Sequence, residues 1–329
     1  LRKLLAVLLS AAVAAGAGAY FLYNRALTPF RAYADPALVE IPQGEGTNAI
    51  GRRLVSAGVI RDELTFKVAL WMSGHARRLQ AGEYTFDREM SALEAIEKIA
   101  RGEVDLVAIT FPEGLTIVEM SRVFETAGFG TAASFVTAAG NAAVIRTLDP
   151  EATDLEGYLF PDTYSLSRRS DAASVVQLMA ARFTQVLTDD LREAAKARGL
   201  SMRQLVTLAS IVEKETARAD ERSLVAAVYS NRLRIGMGLQ CDPTVIYALQ
   251  RAGMFDGNLR REDLAFDSPY NTYKYAGLPP GPIAAPGRGS LEAAAKPAEA
   301  SYLYFVSRND GSHEFASSLE EHNRNVRRF

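Results

Sequence analysis

The chain has 329 residues, 48% hydrophobic and 23% charged, with a formal net charge of -2. That length exceeds one comfortable core and predicts two domains, and the composition excludes a disordered chain. The charge balance gives no pull toward nucleic acid, and Cys241, the single cysteine, excludes an intrachain disulfide and a thiolate metal cluster. His75, His313 and His322 lack ligand spacing, so they read as solvated or structural, and neither a metal nor another cofactor is expected.

The N-terminal stretch "LRKLLAVLLSAAVAAGAGAYFLYNR" carries Arg2 and Lys3 and then no charge until Arg25. Residues 4–23 are long enough to cross a bilayer core, which leaves 1–3 as a stub, and Tyr20, Phe21 and Tyr23 suit a membrane–water interface. Ala17-Gly18-Ala19 offers the competing reading, a cleaved signal peptide. The length of the run favours an uncleaved transmembrane helix. Positive charge on both flanks leaves the orientation open, and both readings export the remainder of the chain. Residues 24–38 read as a short tether.

"VEIPQGEGTNAIGRRLVSAGVI" partly recurs as "AITFPEGLTIVEMSRVFETAGF": Pro42 matches Pro112, Gly44 matches Gly114, Leu54 matches Phe124 and Ala57-Gly58 matches Ala127-Gly128. Each copy predicts a short strand, a Pro/Gly turn and a helix ended by glycine. The first continues through a helical stretch from Leu64 to Met72, a strand at "LQAGEYTFD" and a helix at "SALEAIEKIARGE". Residues 39–150 are therefore expected to form a small α+β module.

"EGYLFPDTYSL" breaks this pattern with a dense aromatic stretch, and helices dominate residues 151–329. "DAASVVQLMAARFTQVLTDDLREAAKARG", "SMRQLVTLASIVEKET" and "ERSLVAAVYSNRLRIGM" repeat apolar residues at helical steps. A loop-rich region with Tyr270, Tyr273 and Tyr275 comes next, and a long ordered loop beside a helical core often lines a site.

In "LASIVEKETARAD" an apolar helix ends in Glu213, Lys214 and Glu215. Leu208, Ile211, Val212 and Glu215 fall on one stripe, Lys214 points away, and Glu213 lies on the other flank of the same arc. Periodicity allows both acids to be half-buried and does not separate them. A half-buried carboxyl loses hydration and titrates high, as a general acid near neutral pH requires; the plain alternative is a packed or capping residue.

"TLASIVEKET", "NRLRIGMGLQCDPTVIYAL", "YNTYKYAGLPPGPIAAPG" and "EGYLFPDTY", in these positions, resemble the motifs of the endolytic murein transglycosylases (MltG, the YceG-like family), and the likeness extends to "YLYFVSRNDGSHEFASSLEEHNRNV". The resemblance implies an α+β protein with one anchor in the cytoplasmic (inner) membrane, a LysM-like module at 39–150 and a mainly helical, lysozyme-like catalytic domain at 151–329. It places that domain on the periplasmic, extracytoplasmic side and so makes 1–3 cytoplasmic. It implies peptidoglycan strands as substrate and peptidoglycan synthases as candidate partners. It also carries one essential acid onto the E-K-E run, assigned to Glu215 because Thr216 comes directly after it, with Glu213 as the alternative. Cys241 stands where the family commonly has threonine.

On that resemblance, Glu215 protonates the leaving oxygen between N-acetylmuramic acid and N-acetylglucosamine, then takes the proton of the muramoyl C6 hydroxyl as a 1,6-anhydro ring closes. The nucleophile belongs to the substrate, so one carboxyl suffices where ordinary glycosidases need two. Gln240, Asp242, Tyr270, Asn271, Thr272 and Tyr273 are candidates to hold the glycan, the alternative being turn chemistry in a proline-rich loop. Glu156, Glu221 and Asn231 are candidate supporting residues; the last two either orient Glu215 or merely cap and tie helices. The competing functions are hydrolysis of the same glycan by Glu215 with Glu156 or Asp242, and a non-catalytic wall-binding tether.

Overall fold

The computed structural model describes residues 2–329; Leu1, part of the expected 1–3 stub, lies outside them. The chain divides into two compact units, one running to Val107 and including Ser165–Arg169, the other comprising Ala108–Tyr164 and Ser170–Phe329.

The first unit opens with α1 (Arg2–Leu27), whose Lys3–Leu27 stretch is long and apolar enough to cross a membrane. The expected tether at 24–38 is instead pinned to the unit. Ala26 is buried, Arg25 pairs with Asp62, Phe30 bridges Met90, and the Ala32 N–H donates to the Gly58 carbonyl at 3.0 Å. Then come β1 (Ala37–Ile41), α2 (Thr47–Ser56), α3 (Glu63–Ser73), β2 (Gly82–Phe86) and α4 (Ala92–Arg101). β1 and β2 are antiparallel, Ala37 opposite Phe86 and Ile41 opposite Gly82. Their alternation puts Val39, Ile41, Tyr84 and Phe86 into a core with Leu54, Phe66, Ile96 and Ile99, as a strand period of two requires. Ser91 and Glu94 form a reciprocal capping box at the start of α4.

β3 (Leu106–Thr110) and β4 (Thr163–Ser167) pair with each other, and the chain passes between the units within them. The repeat is real at the level of backbone. α5 (Ile117–Thr126) succeeds β3 as α2 succeeds β1, and Gly44 and Gly114 take φ of 78° and 77°, a left-handed turn that favours glycine. The two copies nevertheless belong to different units, so the division expected at 150 falls at Val107. The physical reason is packing: α6 (Ala132–Ala139) lies on α5 and on α7 (Ala172–Val186), and Phe111 stacks with Phe135 and meets Tyr164 edge-on. Residues 39–150 therefore do not form one compact module.

The second unit continues with α8 (Asp189–Ala197), α9 (Met202–Glu215), α10 (Arg222–Arg234), α11 (Asp242–Arg251), α12 (Arg288–Ala295), the hairpin β5 (Tyr304–Ser307) and β6 (His313–Ala316), and α13 (Leu319–Arg328). α9 is its axis, in contact with α8, α10, α11 and α12. Every residue from Leu205 to Val212 is buried, as expected of a helix that is apolar all round. The mix of helices with separate two-stranded ladders is the α+β class expected from the sequence.

Candidate active site

α9 leaves the core at its last turn, and Thr216 turns the chain into extended backbone. Glu215 is half-buried there, and its Oε1 accepts a 2.7 Å hydrogen bond from the Tyr229 hydroxyl of α10. Burial pushes its carboxyl above the usual carboxylate range and the charge of Asp242 adds to the rise; hydrogen bonds from Cys241 and Tyr229 and the neighbouring His313 oppose it. Burial and the nearness of Glu215 in turn push the Tyr229 phenol and the Cys241 thiol well up, so both face the carboxyl as neutral donors.

Glu213 has a different environment. Its Oε2 accepts the Gly287 N–H at 2.9 Å, at the N-terminus of α12, and its Oε1 lies 3.4 Å from Arg222 Nη2. A carboxylate on a helix N-terminus and a guanidinium is a fastening. Two acids that periodicity could not separate thus differ in what they touch.

The proline-rich loop brings some of the predicted residues to Glu215 and turns others away. The Tyr273 hydroxyl donates to Asp242 Oδ1 at 2.6 Å, and burial, that hydrogen bond and the charge of Asp242 push its phenol above the usual range, so it stays protonated. Gln240 is exposed at φ 49°, a left-handed conformation, and its N–H donates to the Thr272 carbonyl at 3.2 Å.

Asn271 and Thr272, expected on the glycan, are buried inside the loop. The Asn271 amide donates to the carbonyls of Leu264 and Phe266 at 3.0 and 2.7 Å and accepts the Tyr273 N–H at 3.0 Å. The Thr272 hydroxyl lies 2.9 Å from that of Thr244 and accepts the Cys241 N–H at 3.0 Å. Both build the loop because their short polar side chains satisfy its backbone and each other.

Tyr270 faces another way, its ring 5.0 Å from that of Tyr247 and under the Arg251 guanidinium at 5.6 Å. Glu156 shares that neighbourhood. It lines a cavity of about 550 Å³ with Tyr247, Arg251, Asp154 and Arg122, a lining that includes neither Glu215 nor Asp242. It accepts the Ile117 N–H at 3.1 Å and the Tyr247 hydroxyl at 3.2 Å, and burial pushes its carboxyl up to about 8.

Asn231 donates to the carbonyls of Ala300 and Tyr302 at 2.8 and 3.0 Å, tying α10 to the segment before β5. Glu221 accepts the His313 N–H at 3.0 Å and lies 2.6 Å from its Nδ1. The His313 ring meets Phe305 edge-on at 5.3 Å, and Phe305 meets Tyr229 edge-on at 6.0 Å. Sequence reasoning missed Tyr229, Cys241 and His313 as neighbours of Glu215. For Tyr229 a signal existed, since a phenol inside the apolar run "SLVAAVYSN" has to find a buried hydrogen-bond partner.

Comparison with known proteins agrees with this architecture. The model of the YceG-like family matches residues 39–328, and the chain belongs to that family. It is 32% identical over 324 residues to an endolytic murein transglycosylase of Bacillus subtilis, covering 93% of this chain and 89% of that protein. It is 31% identical over 346 residues to an endolytic murein transglycosylase of Streptococcus pneumoniae strain D39, covering 94% of this chain and 62% of that longer protein. A crystal structure of a yceG-like protein of Listeria monocytogenes superposes with a TM-score of 0.60 at 30% identity, covering 88% of this chain and 98% of that one.

Proposed function

We propose that this protein is a membrane-anchored endolytic lytic transglycosylase of murein, with Glu215 as its single acid and base. The observation that carries the reading is the setting of Glu215: a carboxyl raised by burial, at the open end of the central helix, with neutral donors on it and exposed Asp242 and Tyr273 beside it. Such a group is protonated more readily than an exposed glutamate and donates to the leaving oxygen of the MurNAc-β-1,4-GlcNAc bond. The carboxylate so formed, held by Tyr229, then takes the proton of the C6 hydroxyl as that oxygen closes on C1. The products are a 1,6-anhydroMurNAc end and a free GlcNAc end, and cutting within nascent strands ends their elongation. Gln240 and Tyr273 contact the glycan, while Asn271 and Thr272 position them. α1 anchors the chain in the cytoplasmic membrane with the rest outside, the first unit serves as the LysM-like wall-binding part, and peptidoglycan synthases are its partners.

Asp242 favours one second reading, hydrolysis. Its carboxylate stands near Glu215, held by the Tyr273 hydroxyl, where it is placed to activate water. Incubating the full chain with purified murein strands and analysing products by mass spectrometry decides between them. Anhydro ends support the transglycosylase, reducing muramic acid ends support the hydrolase, and uncut strands refute both and leave a binding tether.

A further inference from the structure

α3 carries a stripe that its own unit leaves uncovered. Thr65, Phe66 and Ala69 are buried, whereas Leu64 is 54% and Trp71 83% exposed. Seven residues apart, these two side chains fall on one helix face, two turns from each other. Lys67 is exposed between them, and Arg77 and Arg78 are exposed just past the end of the helix. The ion pairs described in this unit involve other residues, so the three cations are unmatched among the described residues.

The position of α3 along α1 suggests what covers the stripe. Asp62, the N-cap of α3, pairs with Arg25 in the last turn of α1, and α3 packs against α1. Only that end of α1 is covered: Ala26 is buried and Leu22 half-buried, whereas residues 3–21 are exposed throughout. The uncovered apolar stretch therefore begins about one turn from the contact with α3. Where a spanning helix leaves the bilayer, a neighbouring helix meets the headgroup layer. Tryptophan is enriched at that depth, and lysine and arginine are drawn to anionic lipid there.

We propose that this face of α3, Leu64 and Trp71 flanked by Lys67, Arg77 and Arg78, docks on the surface of the bilayer that α1 enters. The occupant is lipid: apolar side chains at the top of the acyl chains, cations on anionic headgroups. The proposal rests on the reading of α1 as an anchor. Docking holds the first unit against the membrane at a second point, beyond the one helix that tethers it.

Trp71 is the only tryptophan of the chain, so its fluorescence reports this contact alone. The full chain is reconstituted in nanodiscs of mixed zwitterionic and anionic lipid, with flotation to verify insertion. Expected are quenching by lipids brominated near the headgroup end of the acyl chain and shielding from aqueous iodide. Combining Lys67→Glu, Arg77→Glu and Arg78→Glu, all on the surface, should restore iodide access at unchanged circular dichroism. A chain that floats with the discs while Trp71 stays open to iodide and untouched by bromolipid overturns the docking and leaves the anchor standing. A chain that does not float overturns both.

Discussion

The Tyr229 hydroxyl donates a 2.7 Å hydrogen bond to Oε1 of Glu215, joining the end of the buried central helix to the middle of its neighbour. This bond stabilises the charged carboxylate and so opposes the rise that burial produces. In Tyr229→Phe the Glu215 carboxyl should titrate higher still. A general acid acts in its protonated form, so the alkaline limb of the kcat/KM profile should move to higher pH. The turnover number should fall as well, because the carboxylate that must accept the second proton loses its orienting donor, but by less than in Glu215→Gln. The profile of the purified variant checks this, and an unmoved alkaline limb counts against Glu215 as the titrating acid.

Glu213 and Glu215 should separate cleanly by mutation. Glu215→Gln keeps the shape and should remove product formation on murein, with stability near that of the wild type at acidic pH. Glu213→Ala takes an acceptor from the Gly287 N–H and a partner from Arg222, and should cost about 1–3 kcal/mol of stability. Activity per folded molecule should survive. Thermal melts and activity on the same preparations test both, and the opposite pattern would reassign the acid to Glu213.

What the sequence made legible was local. The two strand–turn–helix copies arise from glycines that set a turn, with Thr116 capping the helix of the second copy, so they could be read within twenty-odd residues. The candidate acids were legible as a place, the point where an apolar helix meets charge. Their roles were not, because the Gly287 N–H that engages Glu213 comes from 74 residues away. His313 reaches Glu221 across 92 residues, a pairing no spacing rule anticipates. The unit boundary was missed for a related reason: Phe111 packs with Tyr164 across a chain excursion, and aromatic content alone does not say which unit a ring joins. At Asn271 the local pattern announced a polar loop residue without saying whether its amide faces in or out.

Because the Asn271 amide faces inward, Asn271→Ala removes bonds to Leu264, Phe266 and the Tyr273 N–H from a fully buried position. Unpaired buried groups of this kind cost about 1–3 kcal/mol, so the melting temperature should fall. Activity should drop with it, since the loop that holds Tyr273 against Asp242 loosens, and substrate at high concentration should recover part of it. A variant with unchanged melting behaviour and lost turnover would instead put the Asn271 amide on the glycan.

Glu156 offers a test in which pH, not activity, is the readout. Its carboxyl is raised from the ordinary 4.5 to about 8, chiefly by burial, so between those pH values the folded chain holds a proton that the unfolded chain has released. Stability falls with rising pH wherever the folded state binds more protons, by at most about 1.4 kcal/mol per pH unit for one group. The contribution of Glu156 is therefore fully present below pH 4.5, declines through the interval and stops changing above about 8. Glu156→Gln keeps an acceptor for the Ile117 N–H and a polar group for the Tyr247 hydroxyl while removing the titration. Relative to wild type it should melt at nearly the same temperature at acidic pH and increasingly higher as pH rises toward 8. Glu215 contributes the same slope to both proteins and cancels in the difference. Melting curves of the pair across this range decide the matter, and parallel curves would mean that Glu156 stays ionised, bound to the N-terminus of α5 as a carboxylate.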